Sequence, residues 1–144
     1  MSGAINACGE RGPAGKDAKM DLLWTNPSPN AAFAGQVVDV PNIYDYTALA
    51  VELGHVNAAG TSWNVYGVTQ MGVTAGVATT VVCSCQMLYT GNIAQIMCRM
   101  ATIDGTNEKI TFSDGFRQDW ASGGYGAPQT QNSAAKPIRI YGIK

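Results

Sequence analysis

Residues 77–103 read VATTVVCSCQMLYTGNIAQIMCRMATI, two long apolar runs joined by a short Thr-Gly-Asn segment. Both runs are rich in β-branched and apolar residues and bounded by turn residues, which predicts two strands of a hairpin. Apolar side chains occupy odd and even positions alike, as Met97 does on one face and Ile96 and Met100 do on the other. A strand that is apolar on both faces needs two covers. We expect a second sheet of the same domain on one side and a neighbouring subunit on the other.

The rest of the chain beyond Met20 repeats this pattern in shorter runs, and helix signals are scarce. Strands are predicted at residues 21–25, 33–40, 46–56, 62–73, 77–89, 93–103, 109–113 and 138–143. About eight strands with mostly hairpin-length gaps predict an all-β, jelly-roll-like antiparallel β-sandwich. A chain of 144 residues has room for one core, so residues 20–144 are expected to form a single head domain after a leader of residues 1–19.

A short collagen-like repeat lies in this leader, where Gly9, Gly12 and Gly15 follow one another at a spacing of three. Only glycine fits at the axis of a collagen triple helix, so such a repeat requires three chains. Three triplets span about 28 Å, too little to trimerise alone, so the head domain has to hold the trimer together. The sequence therefore predicts a homotrimeric head on a short stalk. The alternative is that the leader is a plain flexible segment.

Composition limits the functions open to the chain. Its net charge is -1, and only 13% of its residues are charged, against roughly 25% in a usual soluble domain. Such a chain does not attract nucleic acid electrostatically, so DNA and RNA binding are not expected. No apolar run is long enough to span a membrane, and the N-terminus lacks a basic-then-apolar signal. We expect synthesis in the cytosol, reduced cysteines and no membrane insertion.

Residues 115–136 form the one long gap between predicted strands and are rich in Gly, Ser, Ala and Gln. Structureless segments of this length are often functional or disordered. Trp120 and Tyr125 lie in it, and exposed aromatic side chains on mobile loops often contact ligands. We therefore take Trp120 and Tyr125 as candidate ligand or host contacts. The alternative is that they pack against the head domain or a partner subunit.

No catalytic constellation is evident in the sequence. His55, the only histidine, follows a glycine at the end of a predicted strand, with no nucleophile motif nearby. Cys83 and Cys85 lack the spacing of a zinc knuckle and are interpreted as small buried hydrophobic residues. Spacing alone leaves open a carboxylate pair such as Glu52 with Asp114. We expect a protein that is not an enzyme and that needs neither a metal nor a cofactor.

Several segments resemble small structural proteins of bacteriophages and prophages of Gram-positive hosts. They are residues 24–29 (WTNPSP) with Phe33 and Gln36 after them, 44–46 (YDY), 110–115 (ITFSDG) and 137–144 (PIRIYGIK). The resemblance covers most of residues 20–144. It implies a trimeric fibre or tail-tip protein, located in the virion, that contacts a host cell-surface glycan or protein or another virion protein.

Two other functions are compatible with the same features. A bacterial spore-coat or cell-surface protein with a collagen-like stalk and a C1q/TNF-like head would share the architecture. A small depolymerising enzyme carried on a fibre would instead release sugar from host cell walls.

Overall fold

The computed structural model describes residues 19–56, 63–89, 93–121 and 123–144. These contain eleven β-strands and a short 3-10 turn at Ile43–Asp45. The strands are β1 (Met20–Thr25), β2 (Gln36–Asp39), β3 (Ala48–Val56), β4 (Trp63–Gly72), β5 (Thr79–Tyr89), β6 (Ile93–Ile103), β7 (Lys109–Phe112), β8 (Phe116–Ala121), β9 (Gly124–Tyr125), β10 (Gln129–Thr130) and β11 (Lys136–Ile143). Gly9, Gly12 and Gly15 of the predicted stalk lie outside the described residues.

The strands form two antiparallel sheets that enclose one core, which confirms the predicted all-β sandwich. The smaller sheet has the order β1-β11-β3-β4. The larger sheet is built around β6. Along one edge β6 pairs with β5, and along the other it pairs with β7 and then with β8. β2 lies beyond β7, and β9 and β10 lie beyond β8. The first two strands pair with later ones, β1 with β11 and β2 with β7. Each of these pairs lies beside a central hairpin, β3–β4 in the smaller sheet and β5–β6 in the larger, which is a jelly-roll-like arrangement.

A bulge divides β7 from β8, which otherwise form one strand beside β6. Ala101 of β6 pairs with Phe112, and Cys98 pairs with Phe116, so β6 advances three residues while its partner advances four. The extra residue lies in the segment 113–115, where the amide of Ser113 still donates to the Met100 carbonyl at 2.9 Å. Bulges bend a strand and redirect its side chains. Here the bend lets β2 pair with one half of the strand and β10 with the other.

The core between the sheets is built by alternation along the strands. Leu49, Val51 and Leu53 of β3 are fully buried, as the sequence predicts for one face of this strand. Apolar side chains from both sheets complete the core, and the largest of them are Phe112, Ile43, Met71, Met97, Ile103, Ile110, Ile138 and Ile140. Alternate side chains such as Glu52 of β3 and Met100 of β6 point away from the core, onto the outer surfaces of the two sheets.

Arg99 of β6 is buried in this core at an inward position, with 1% of its surface exposed. Its Nη1 donates to the carbonyls of Phe33 at 3.0 Å and Ser113 at 3.2 Å, and its Nη2 donates to that of Ala134 at 2.9 Å. The guanidinium also lies 5.1 Å from the centre of the Phe33 ring. Burial lowers the pKa of Arg99 to about 10, which leaves it protonated at neutral pH. One side chain thus joins β6, the bulge and the loops that lead into β2 and β11.

The eight predicted strands correspond to eight observed ones, with the second shortened to Gln36–Asp39. The prediction of a long loop over residues 115–136 is wrong, because β8, β9 and β10 lie within it. These strands are short, polar or glycine-rich, and they are held by pairing with β6 and with one another rather than by their own apolar pattern. No helix with the length and apolar character needed to cross a bilayer occurs in the part of the chain that the structure describes.

Candidate functional site

The outward side chains of the larger sheet form an apolar surface, which we call the outer face. Cross-strand pairing places Val82 opposite Met100, and Cys98 opposite Phe116. Leu88 is 83% exposed and Val82 61% exposed, so large apolar groups meet solvent here. The outer face comprises Val82, Leu88, Ile96, Cys98, Met100, Phe116, Trp120 and Tyr125. A contiguous apolar surface of this extent usually marks an interaction site.

Trp120 and Tyr125 lie together at one end of the outer face. They are direct cross-strand partners in the β8–β9 pair, and Trp120 also pairs with Ala94 of β6. On the far side of β6, Ala94 pairs with Leu88. The structure therefore brings together the two residues singled out in the sequence and holds them on strands instead of a loop. Aromatic pairs directly opposite each other are among the more favourable cross-strand contacts.

Charges are placed differently on the outward sides of the two sheets: on the larger sheet the ion pair of Lys109 and Asp39, 3.9 Å apart, lies at the β7–β2 edge, beyond the outer face. The polar residues that share the outer face with the apolar ones are uncharged: Thr80, Ser84, Gln86, Thr102 and Gln118. On the smaller sheet, by contrast, Arg139 Nη1 and Glu52 Oε2 form an ion pair at 2.9 Å. Burying a charged group against a partner is costly, whereas burying apolar and neutral surface is favourable. The outer face of the larger sheet is thus the better suited of the two to be covered.

A cleft lies between the end of β1, the loop that follows it and β2. It has a volume of about 460 Å³ and is lined by Trp24, Asn26, Pro27, Ser28, Ala31, Ala32, Phe33, Gln36, Val37 and Val38. The rings of Trp24 and Phe33 meet edge to face, with their centres 6.3 Å apart. None of the ten lining side chains is ionisable. The cleft therefore combines two aromatic rings with neutral polar groups.

Buried contacts hold the loop that forms one wall of the cleft. Lys136, fully buried at the start of β11, donates from Nζ to the carbonyls of Pro29 and Ala31, the latter at 2.8 Å. Asn26 Nδ2 donates to the Pro137 carbonyl at 2.9 Å. Burial lowers the pKa of Lys136 to about 8, so at neutral pH it is still largely a cation bound to carbonyl oxygens. The wall is thus held from behind by Lys136, which does not line the cleft, and from within the lining by Asn26.

The three thiols among the described residues divide between the two sides of the larger sheet. Cys83 and Cys85 are buried, as expected for small hydrophobic residues, and burial raises the pKa of each to about 11. Cys98 lies half-buried on the outer face. All three are free thiols. Thiols with raised pKa values are poor nucleophiles at neutral pH, so Cys83 and Cys85 act as packing groups.

The other residues weighed for chemistry are separated in the fold. Glu52 pairs with Arg139 on the smaller sheet, whereas Asp114 accepts from the Gly35 amide at 2.8 Å beside the bulge of the larger one. The side chain of His55 lies outside what the structure describes. Within the described ranges, no three His, Cys, Asp or Glu side chains are grouped so as to hold a metal ion.

The outer face was expected in outline from the doubly apolar strands, but the cleft was not predicted. The sequence pattern of residues 24–33 predicts only a strand end, a turn and the start of the next strand. Trp24 and Phe33 flank this proline-rich turn, and two aromatic rings so placed are a usable signal for a concave site. A scan against protein-family models, a search of curated proteins and a search of solved structures each found no match to this chain.

Proposed function

We propose that this chain is a non-enzymatic structural protein of a bacteriophage particle. It acts as a homotrimer whose sandwich domain forms a fibre or tip element, and it attaches to the host surface or decorates the particle. The outer face of the larger sheet is the contact between subunits. In this proposal Trp120 and Tyr125 pack against a partner subunit and do not contact a host ligand directly.

The observation that carries the proposal is the apolar and uncharged outer face on an otherwise complete sandwich. Six of its large apolar residues are between 41% and 83% exposed, and a standard protein interface buries roughly 800 Å² of each partner. Val82, Leu88 and Tyr125 are each more than half exposed in the single chain. Covering them with sister subunits removes this apolar surface from water without desolvating an ion pair.

The collagen-like repeat favours three subunits over two. Two outer faces stacked on each other would satisfy a dimer, because such a contact is isologous. Gly9, Gly12 and Gly15 fit a triple helix, which needs three chains in register. The apolar sheet face supports self-association, and the collagen-like repeat favours three copies.

The non-enzymatic part of the proposal is supported by how the charged side chains are used. Arg99 and Lys136 bind backbone carbonyls, and Asp104 accepts hydrogen bonds from Thr106 and Asn107 within its own turn. Glu52 is engaged by Arg139. These groups stabilise the fold and are not directed together into a cavity.

The test is the location of the protein. Particles purified from an induced culture of the host that carries the gene are examined by mass spectrometry and by immunogold electron microscopy. We expect stoichiometric peptides of this chain and labelling at a tail tip, a fibre or the capsid surface. Recovery from spores or the cell envelope, with none in purified particles, would support the spore-coat or cell-surface alternative and overturn the proposal.

A further inference from the structure

We propose that the cleft beside Trp24 binds a ring of a neutral sugar and is the site at which the trimer recognises a surface glycan. This inference rests on the proposed function, because it names the ligand class for the attachment role. It assigns recognition to the cleft and not to Trp120 and Tyr125 on the outer face.

The lining of the cleft selects against charged ligands. Its side chains are apolar, hydroxyl or amide groups, and none carries a charge with which to form an ion pair with a carboxylate, a phosphate or an amine. Two cations lie behind the lining, and both are bound to backbone carbonyls: Lys136 to those of Pro29 and Ala31, and Arg99 to that of Phe33. A charged ligand would lose hydration on entry and gain no ion pair, so an uncharged ligand is favoured.

The remaining groups match the two-sided chemistry of a sugar ring. Trp24 is half-buried beside Phe33, so an aromatic surface is available to the C–H groups on one face of a ring. Ser28 and Gln36 are exposed on the lining, and they can exchange hydrogen bonds with the hydroxyl groups at the rim. A purely apolar ligand would leave these polar groups unpaired.

The cleft is already formed in the absence of a ligand. Its loop is tied to β11 through Lys136 and Asn26, and the Phe33 carbonyl is bound by Arg99 at 3.0 Å. A site fixed in this way loses little conformational entropy on binding. Its volume of about 460 Å³ lies within the range of about 300–1,000 Å³ that is usual for small-molecule sites.

The cleft also stays accessible in the proposed trimer. One lining residue, Val37 of β2, points outward on the larger sheet, but it lies at the β2 edge, and none of the eight residues that define the outer face lines the cleft. Subunits that meet through the outer face therefore leave three equivalent clefts for ligand. Weak binding to a single ring is then amplified when three sites engage one surface.

The experiment is a saturation-transfer NMR and calorimetric titration of the full chain with single sugars. N-acetylglucosamine, galactose and glucose serve as neutral probes, glucuronate as the acidic probe and glucosamine as the cationic one. We expect at least one neutral sugar to bind with a dissociation constant on the order of 1 mM, and the charged sugars to bind at least about tenfold more weakly.

Two variants and a matched control locate the site. Ala32→Trp fills the cleft and is expected to abolish binding, and the double variant Ser28→Ala/Gln36→Ala is expected to weaken it about three- to tenfold. Ala34→Trp places the same ring on an exposed alanine outside the lining and is expected to bind like the wild type. Circular dichroism checks that each variant is folded.

Three results would overturn the inference: no neutral sugar binds, a charged sugar binds as tightly, or Ala32→Trp binds like Ala34→Trp. Binding that is lost in a folded Trp120→Ala/Tyr125→Ala variant and retained in Ala32→Trp would assign recognition to the outer face instead. Each result is independent of the particle analysis. A chain found in particles that binds no neutral sugar loses only this inference, whereas a sugar-binding chain absent from particles loses the proposed function.

Discussion

Trp120 and Tyr125 are direct cross-strand partners, and both point outward from the larger sheet, where 47% and 69% of their respective surfaces are exposed. Two large aromatic side chains at the end of an uncharged sheet face form a strong anchor for a partner, because aromatic residues dominate the energetics of many interfaces. Their pairing is fixed by the β8–β9 register and does not depend on a ligand.

The double variant Trp120→Ala/Tyr125→Ala tests whether this pair contacts a sister subunit. Removing the two rings is expected to weaken association between subunits at least about tenfold. The mass in solution then falls at low micromolar concentration, while the fold is kept. Light scattering and circular dichroism on the same samples provide the measurement. If the mass is unchanged and only binding to host cells is lost, the pair contacts the host and our subunit assignment is wrong.

Arg99→Lys should lower the free energy of unfolding by on the order of 3 kcal/mol. A lysine cannot reproduce the planar fork that serves several carbonyls, and each carbonyl left unpaired in the core costs about 1–3 kcal/mol. Arg139→Lys is the control, since its partner Glu52 lies near the surface and a change of less than about 1 kcal/mol is expected there. Urea unfolding at one fixed protein concentration compares them. Equal losses in the two variants would contradict the central role of Arg99.

Gly115→Ala is expected to prevent stable folding or to cost several kcal/mol, of the order of 3 or more. A Cβ at this position would lie 2.5 Å from the Gln131 carbonyl oxygen and 2.6 Å from that of Ala134. Both residues are held in place, because the Gln131 amide donates to the Gly115 carbonyl at 2.7 Å and the Ala134 carbonyl accepts from Arg99 Nη2 at 2.9 Å. Gly72→Ala is the matched control in β4, where the added Cβ meets no atom within 4 Å. Thermal unfolding of both variants gives the comparison. A Gly115→Ala protein as stable as the control would show that the close approach is absent in solution.

The contribution of the two buried thiols to the free energy of unfolding should fall as pH rises from 9 to 11. The folded-state pKa values of Cys83 and Cys85 are raised from 9.0 to about 11, so the folded protein holds protons that the unfolded chain releases. The stabilisation is complete below pH 9 and is lost as the pH passes through 11. It amounts to on the order of 2 kcal/mol per thiol.

The comparison that isolates the thiols is Cys83→Ala/Cys85→Ala, measured by urea unfolding at several pH values across this window. Lys136 and Arg99, whose lowered pKa values of about 8 and about 10 act in the opposite direction, are present in both proteins, so their contributions cancel. The variant is expected to be less stable at pH 8.5 but to lose less stability with rising pH. Parallel pH profiles for the two proteins would rule out the thiol contribution.

The strand positions could be predicted where apolar alternation is strong. The strand at Ile93–Ile103 was placed residue for residue, because β-branched and apolar side chains fill both of its faces between clear turn signals. The strand at Phe116–Ala121 was missed, because its inward positions hold Arg117 and Asp119, which form their own ion pair at 2.9 Å. Its identity as a strand comes from pairing with β6, which is a tertiary effect.

The candidate site was predictable only in part. Trp120 and Tyr125 were identifiable as exposed aromatic residues, but their direct pairing depends on a register that the sequence does not reveal. The cleft depends on contacts between distant parts of the chain, such as Lys136 with the carbonyl of Ala31. A buried lysine that organises a loop more than a hundred residues away leaves no local signal in the sequence.

The most direct test of the account is the mass of the full chain in solution, measured by light scattering after gel filtration. At micromolar concentration we expect three times the chain mass of 15.1 kDa. Val82→Lys on the outer face is expected to reduce the mass towards that of one chain. Val68→Lys on the smaller sheet is the matched control, because Val68 is 59% exposed and Val82 61% exposed. This control is expected to leave the mass unchanged. A wild-type protein that runs as a monomer or a dimer, or a Val82→Lys variant that remains a trimer, would contradict the central claim.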